Sequence, residues 1–302
     1  MSNTIFRKDG TAQGVAKQRY IESIASANSR VIYDPYAGIF VAGASFIKLM
    51  GHKFSVWLTK KLAPGFHEHL ISRTKFIDDL VEKKVTEGYT QYVILGAGYD
   101  LRAHRLKIPN NIKIFEVDQQ EVQQRKRSKL PIEIQNTPNL TYVSVDFNTQ
   151  TLENRLLNHG FDPTKPTIIT LEGVSQYITK DAFATTLKSL VELTKETKLI
   201  FYTSYVNQKL ISDPTECFGK GYLNPNKKAK MIMNLSAKVG EPWISLYSKE
   251  EIKNIFISYG FTILEDKTLS NLNSKYFEPL GRKLLEKELF NLEHSLVAES
   301  KS

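Results

Sequence analysis

From residue 89 onward the sequence alternates short apolar runs with helix-like stretches, and this alternation constrains the fold more than any other feature. "QYVIL" (91–95) reads as a strand, followed by "IKIFEV" (112–117), "LTYVSV" (140–145), "PTIITL" (166–171) and "KLIFYTS" (198–204). The polar stretch "QQEVQQRKRSKL" and the amphipathic stretch "KDAFATTLKSLVELTKE" between them read as helices. Runs this short, bounded by turn residues and separated by helical spacing, predict βα units. The expected fold is therefore α/β: a doubly wound, mostly parallel, Rossmann-like sheet with helices on both faces. "FTILEDKTL" is expected to return as a strand, a final strand is expected near "KYFEPL", and a charged helix is expected to close the chain.

The first 88 residues carry few strand-like runs and read as a helical cap. "GVAKQRYIESIASANS" has helical spacing at Val15, Tyr20, Ile21 and Ile24. "DPYAGIFVAGASFIKLM" places Asp34 at an N-cap and Pro35 at the first helical position. "FHEHLISRTKFIDDLVEKKVTEG" is a long amphipathic helix stopped by Gly88. Residues 206–246 hold Pro, Gly, Asn and Lys around one short helix, 226–238, and read as an insertion in the core 89–302, a candidate lid. "SKEEIKNIFISYG" has Ser248 at an N-cap, Glu251 three residues on and Gly260 at the stop.

"YVILGAGYD" sets a Gly-x-Gly turn after a strand and before a helix, the context of a nucleotide-binding loop. Gly96 and Gly98 permit positive φ and close backbone approach. A dinucleotide fingerprint needs a third glycine where this chain has Leu101, and Asp100 would repel a pyrophosphate. No Gly-Lys-Ser/Thr follows, so a P-loop is excluded too. A ligand with an ammonium group and a ribose but no phosphate, such as S-adenosyl-L-methionine, suits the turn better. The second strand ends in "FEVDQ", with Asp118 twenty residues after Gly98, where a carboxylate can accept both ribose hydroxyls. Asp146 and Phe147, in "VDFN" after the third strand, are candidates for the adenine. Glu172, in "LEGVSQYI", ends the fourth strand beside the crevice where open α/β sheets bind ligands. Ala97, inside the turn, and Gln119, beside Asp118, complete the candidate set.

Taken together, "YVILGAGYDLRAHRL", "FEVDQ", "VSVDF", "LEGVSQYI" and "GEPWISLYSKEEIKNIFISYGF" resemble the leucine carboxyl methyltransferase-like family of class I S-adenosylmethionine-dependent methyltransferases. The nearest likeness is to its bacterial small-molecule O-methyltransferase branch, and "SRVIYDPYAGIFV" and "SRTKFIDDLV" resemble the family's helical cap. The resemblance covers roughly residues 15–270. It implies a seven-stranded core and S-adenosyl-L-methionine as cofactor. It also implies that Arg73 holds the methionine carboxylate, a role that a guanidinium fork fits. By the same resemblance Gly96 and Gly98 line the methionine portion, Asp118 takes the ribose, Asp146 and Phe147 the adenine, and Glu172 lies near the methionine amino group. Leu101 stands where the family commonly has Thr, and His104 where it commonly has Tyr or Trp.

The expected reaction is methyl transfer to oxygen of a small molecule. A carboxylate acceptor needs no general base, whereas a hydroxyl usually does. Tyr177, Tyr205, His104 and Glu172 are the candidate bases, although a packed helix histidine is the simpler reading of His104. No metal site is expected, because "HEH" (67–69) lacks a third ligand at helical spacing and Cys217 is the only cysteine. The net charge of +9 leaves room for an RNA-modifying enzyme, but no interleaved aromatic–basic run supports nucleic acid as a partner. The residues also leave room for a protein-modifying enzyme and for a non-catalytic cofactor-binding protein. With no apolar leader and no run near 18 apolar residues, the expected location is the cytoplasm, away from membranes.

Overall fold

The computed structural model describes residues 10–146, 150–238 and 240–300. In chain order these form α1 (Gly10–Ser23), α2 (Ala44–Leu62), α3 (Phe66–Thr86), β1 (Gln91–Leu95), α4 (Arg102–Arg105), β2 (Lys113–Asp118), α5 (Gln120–Lys129), α6 (Ile132–Gln135), β3 (Leu140–Ser144), α7 (Leu152–Asn158), β4 (Thr167–Leu171), α8 (Lys180–Leu193), β5 (Leu199–Val206), α9 (Lys209–Ser212), α10 (Pro225–Lys238), α11 (Lys249–Ser258), β6 (Phe261–Lys267), α12 (Leu269–Tyr276) and β7 (Glu293–Ser300), joined by short 3₁₀ turns and loops. No described helix is long and apolar enough to cross a membrane.

The strands make one seven-stranded sheet in the order β3-β2-β1-β4-β5-β7-β6. The pairs β1–β2, β2–β3, β1–β4 and β4–β5 are parallel. Every residue of β1, β4 and β5 is buried. That is why these strands read as continuous apolar runs and not as alternating ones: helices cover both faces. Val93, Phe115, Val143, Ile169 and Phe201 contribute one core residue per strand. Phe256 of α11 packs edge-on against Phe183 of α8 and Phe201 of β5, with ring centroids 6.0 and 5.7 Å apart. Ser248 caps α11 as the sequence predicts, its Oγ accepting from the Glu251 backbone N–H at 3.0 Å. Gly260 leaves the helix with φ 82°.

The chain divides into two compact units. The second comprises Ile77–Tyr205, Tyr247–Asp266 and Ser295–Ser302 and carries the sheet. The first comprises Met1–Phe76, Val206–Leu246 and Lys267–His294. Within it, Ile21 of α1 packs with Ile47 and Val56 of α2, and the Lys228 ammonium of α10 donates to the Leu62 carbonyl.

Three expectations for the chain path need correction. The segment "KYFEPL" is not a strand: Thr268 and Asn271 form a capping box that opens α12, and Pro279 lies in a 3₁₀ turn. The last strand is Glu293–Ser300, where a charged helix was expected. Leu296, Val297 and Ala298 are buried in it, and Arg73 and His69 satisfy the Glu293 carboxylate at its start. Partners distant in sequence thus remove the cost of polar residues in a buried strand. The helix expected from Asp34 is also split. Asp34 Oδ1 accepts from the backbone N–H groups of Tyr36 and Ala37, at 3.1 and 3.0 Å, but only a 3₁₀ turn (Ala37–Phe40) follows. Gly43, at φ 72°, separates it from α2.

Candidate active site

Strand order reverses beside β1: the chain moves outward through β2 and β3, then returns to the other side of β1 as β4. Ligands of open α/β sheets bind at such a switch, outside the carboxyl ends of the strands. Leu95, the last residue of β1, is in register with Val117 of β2 and Leu171 of β4. The residues that follow these three positions are Gly96, Asp118 and Glu172, so the register alone brings three of the predicted site residues to one sheet edge.

The Gly-x-Gly turn wraps around the end of β2. The N–H groups of Gly96 and Ala97 both donate to the Val117 carbonyl, at 2.9 and 3.1 Å. The Gly98 N–H donates to Asp118 Oδ2 at 2.6 Å, and the Gln119 N–H to Asp118 Oδ1 at 2.7 Å. Gly96 has φ 64° and Gly98 φ 46°, the left-handed region that favours glycine. A Cβ on Gly96 would lie 2.6 Å from Val174 Cγ2, so this backbone approaches its neighbour more closely than any side chain allows. The loop after Glu172 is pinned to β5: the Gly173 N–H donates to Ser204 Oγ at 2.8 Å, and Ser175 Oγ donates to the Ser204 carbonyl at 2.7 Å.

Beneath the turn lies a group that the sequence reading missed. Arg102, 2% exposed, donates through Nε to Asp78 at 2.8 Å and through Nη1 to Glu172 at 2.7 Å and to Asp100. Asp100 Oδ1 also accepts from the Arg102 backbone N–H at 2.7 Å. Arg105 grips Asp78 with both Nη atoms at 2.7 Å. Burial would raise the pKa of Asp78, but the Arg105 and Arg102 guanidinium groups outweigh it and hold the carboxyl below the ordinary aspartate value. Burial likewise opposes the charge on Arg102, and Asp100, Glu172 and Asp78 outweigh it. Three carboxylates, Asp78, Asp100 and Glu172, thus meet the Arg102 guanidinium, and Asp78 meets that of Arg105 as well. The only local signal for Arg102 was its place in "YDLRAHRL", since Asp78 and Glu172 lie 24 and 70 residues away.

Next to this cluster, the buried Lys126 donates to Glu116 Oε2 at 2.6 Å and to the Asp100 carbonyl. Burial, against the pull of Lys126 and with help from Asp100 and Asp118, pushes the Glu116 carboxyl up to about 7.

The other predicted residues fall in different places. Ala97 is buried within the turn, and Gln119 stands exposed before α5. Asp146 is exposed just beyond β3, its N–H donating to Gln150 Oε1, and Phe147 lies outside the described residues. Arg73 belongs to the first unit, where its Nη1 is 2.7 Å from Glu293 Oε2, an oxygen that His69 Nε2 also contacts at 2.7 Å. Of the His104 ring, Nδ1 meets Thr137 Oγ1 at 3.0 Å and Nε2 meets the Tyr142 hydroxyl at 3.3 Å. Tyr205 is fully buried and donates to Asp266 Oδ2 at 3.1 Å. Burial first, and then the Asp266 charge, push its phenol well above the usual value, which suits a neutral donor and not a base. Tyr177 ends the short 3₁₀ turn that follows Glu172.

A carboxylate-rich Gly-x-Gly turn at a strand-order switch can bind hydroxyl and cationic groups and opposes phosphate. A Bacillus subtilis protein named "Putative S-adenosyl-L-methionine-dependent methyltransferase YktD" is 29% identical over 209 residues, 68% of this chain and 65% of that protein. A similarly named Mycobacteroides abscessus protein is 36% identical over 171 residues, 56% of this chain and 54% of the relative. The chain thus spans less than two thirds of the length of these curated relatives. A DUF574-family crystal structure from Streptomyces avermitilis shares the fold, with a TM-score of 0.59 at 13% identity, covering 94% of this chain and 97% of that one. Residues 12–191, more than half of the chain, match the leucine carboxyl methyltransferase family, and the chain therefore belongs to that family.

Proposed function

We propose that this chain is an S-adenosyl-L-methionine-dependent methyltransferase that methylates an oxygen of a small-molecule acceptor. The observation that carries the reading is the Asp118 carboxylate, held on the Gly98 and Gln119 N–H groups at the end of β2. Each carboxylate oxygen accepts more than one hydrogen bond, so these backbone bonds orient Asp118 without excluding ribose hydroxyls. Asp146 and Phe147 remain the candidates for the adenine, Glu172 for the amino group and Arg73 for the carboxylate of the cofactor.

The cofactor supplies a methyl group already activated on a sulfonium sulfur. What remains for the protein is to hold the acceptor in line and keep water out. An ionised carboxylate needs no proton removed, and two candidate bases are engaged elsewhere: Tyr205 by Asp266, His104 by Thr137 and Tyr142. This favours a carboxylate, or an acidic phenol, as the acceptor over an ordinary alcohol. Tyr177, which ends the 3₁₀ turn after Glu172, and Glu172 itself remain candidates should a base be used.

The test is incubation of the protein with cofactor labelled at the methyl group and a metabolite extract, followed by mild base. A methyl ester releases its label, and this is the expected result. Label that stays bound points to an ether or an amine. Failure of calorimetry to detect any cofactor binding would overturn the enzymatic reading itself.

A further inference from the structure

A second cluster of titratable groups lies wholly inside the first unit and plays no part in the proposed methyl transfer. Glu22 of α1 and His67 of α3 are fully buried, and His52 of α2 is partly exposed. Their ligand atoms, one from each residue, lie within 4.8 Å of one another. His67 Nε2 is 2.9 Å and His52 Nε2 3.3 Å from the same oxygen, Glu22 Oε2. The other oxygen, Oε1, is occupied differently: it accepts from the Val31 N–H at 2.7 Å and from Arg282 Nη1 at 2.5 Å. The carboxylate is therefore anchored through one oxygen and presents the other to two imidazoles.

The proton inventory of this arrangement points to a cation. Gln18 Oε1 lies 2.8 Å from His67 Nδ1 and, as an acceptor, calls for a hydrogen on that nitrogen. In a neutral ring that leaves the Nε2 lone pair facing a carboxylate lone pair. A positive charge is needed between them, supplied either by a second ring proton or by a metal ion. A carbonyl holding the remote Nδ1–H of a histidine is the arrangement that orients metal-binding imidazoles. The spacings agree as well. Zinc with bonds of about 2.0–2.1 Å in a tetrahedral site sets neighbouring donor atoms roughly 3.3–3.4 Å apart. The two edges from Glu22 Oε2, 2.9 and 3.3 Å, are already near that length.

We propose that Glu22 Oε2, His52 Nε2 and His67 Nε2 bind a zinc ion. Two imidazoles and one carboxylate form a donor set that suits zinc and poorly suits magnesium or calcium. The fourth position is left to water, reached from the side of His52, the one ligand that solvent touches. Since the three ligands come from α1, α2 and α3, the ion clasps three helices of the first unit. The sequence hid the site. "HEH" offered no third ligand at helical spacing, and its second histidine, His69, turns to Glu293, whereas the proposed partners of His67 lie 45 and 15 residues before it.

The test uses the untagged full-length chain, stripped with a chelator and titrated with zinc against a chromophoric competitor. One zinc per chain is expected, with a rise in Tm on zinc addition. Cobalt(II) in its place should give the intense visible absorption of a tetrahedral site. His52→Gln, at the partly exposed ligand, should keep the far-UV spectrum, bind zinc at least tenfold more weakly and lose the Tm response. Gln18→Ala should weaken zinc about 10–100-fold through the ring it orients, while His159→Gln, in the second unit, should bind as the wild type does. Equal zinc affinity in the wild type and His52→Gln, or a pale octahedral cobalt spectrum, overturns the proposal.

Discussion

The backbone N–H of Gly98 donates to the carboxylate of Asp118 at 2.6 Å, and this one bond ties the loop after β1 to the end of β2 across 20 residues of sequence. The same carboxylate accepts from Gln119 through its other oxygen, so Asp118 shapes the turn at the strand-order switch. Its removal should be felt first in ligand binding.

Asp118→Asn keeps the shape and an acceptor but loses the charge. Hydrogen bonds to a charged group contribute about 1.5–3 kcal/mol, so cofactor affinity should fall at least tenfold. Isothermal titration with S-adenosyl-L-methionine measures this. Near-normal affinity in a folded variant would remove Asp118 from the site.

Gly96→Ala introduces a Cβ at φ 64° and 2.6 Å from Val174 Cγ2. Left-handed strain alone costs roughly 1–3 kcal/mol, and the clash adds to it. Urea denaturation should show that loss, with partial recovery in Gly96→Ala/Val174→Ala, where only the clash is relieved. If the double variant is no more stable than the single one, Val174 is not the constraint.

Arg102 contacts three carboxylates drawn from α3, the turn and the end of β4. Arg102→Met takes this guanidinium from all three carboxylates, leaving Arg105 on Asp78, and breaking a buried pair in this way costs about 3–5 kcal/mol. Arg102→Lys should recover little, because a single ammonium cannot reproduce the fork that spans Asp78 and Glu172. Denaturant midpoints decide it: a loss below about 1 kcal/mol for Arg102→Met would show that the cluster does not depend on this residue.

Glu116 supplies a pH signature. Its carboxyl is pushed up to about 7 from an ordinary 4.5, chiefly by burial. Between those values the folded chain holds a proton that the unfolded chain has released. Stability should therefore fall as pH rises from 4.5 to 7, by up to the order of 3 kcal/mol, and level off above. Asp78 acts in the opposite sense at lower pH: its contribution is present above the ordinary aspartate value and is lost as pH falls through the depressed folded one. Comparing the wild type with Glu116→Gln across about pH 4.5–8 isolates the first effect. Identical slopes for the two proteins would contradict it.

Tyr205→Phe separates structure from catalysis. The variant deprives Asp266 of a buried donor and should lose roughly 1–3 kcal/mol of stability. Methyl transfer by the folded fraction should stay within a few-fold of wild type, because a phenol held neutral beside a carboxylate is not the base. A loss of several orders of magnitude in kcat at full cofactor occupancy would restore Tyr205 to the mechanism.

Much of the second unit was legible from the residues alone. β1 to β6 fall within a residue or two of the apolar runs that predict them, and Ser248 and Gly260 bound α11 as their types require. The positions of Asp118 and Gly98 were legible for one reason: both depend on a local strand end and a fixed spacing. The departures occur where local chemistry was overruled from a distance. Glu293–Ser300 looks too polar for an interior strand, yet it is one, because Arg73 and His69 meet Glu293. The helix expected from Asp34 shortens to a 3₁₀ turn because Gly43 takes a left-handed φ before α2 begins.

The sequence by itself determined the alternation of strands and helices, the Gly-x-Gly turn and the carboxylates that follow the strand ends, because each is written in the spacing of neighbouring residues. Only the tertiary structure decided which charges meet. Arg102 finds Asp78 and Glu172, Tyr205 finds Asp266, and Glu22 gathers His52, His67 and Arg282 across as many as 260 residues. The physical reason is that a backbone pattern is set by nearest neighbours along the chain. A buried charge is satisfied by whichever partner the fold brings within about 3 Å of it, and no periodicity records that.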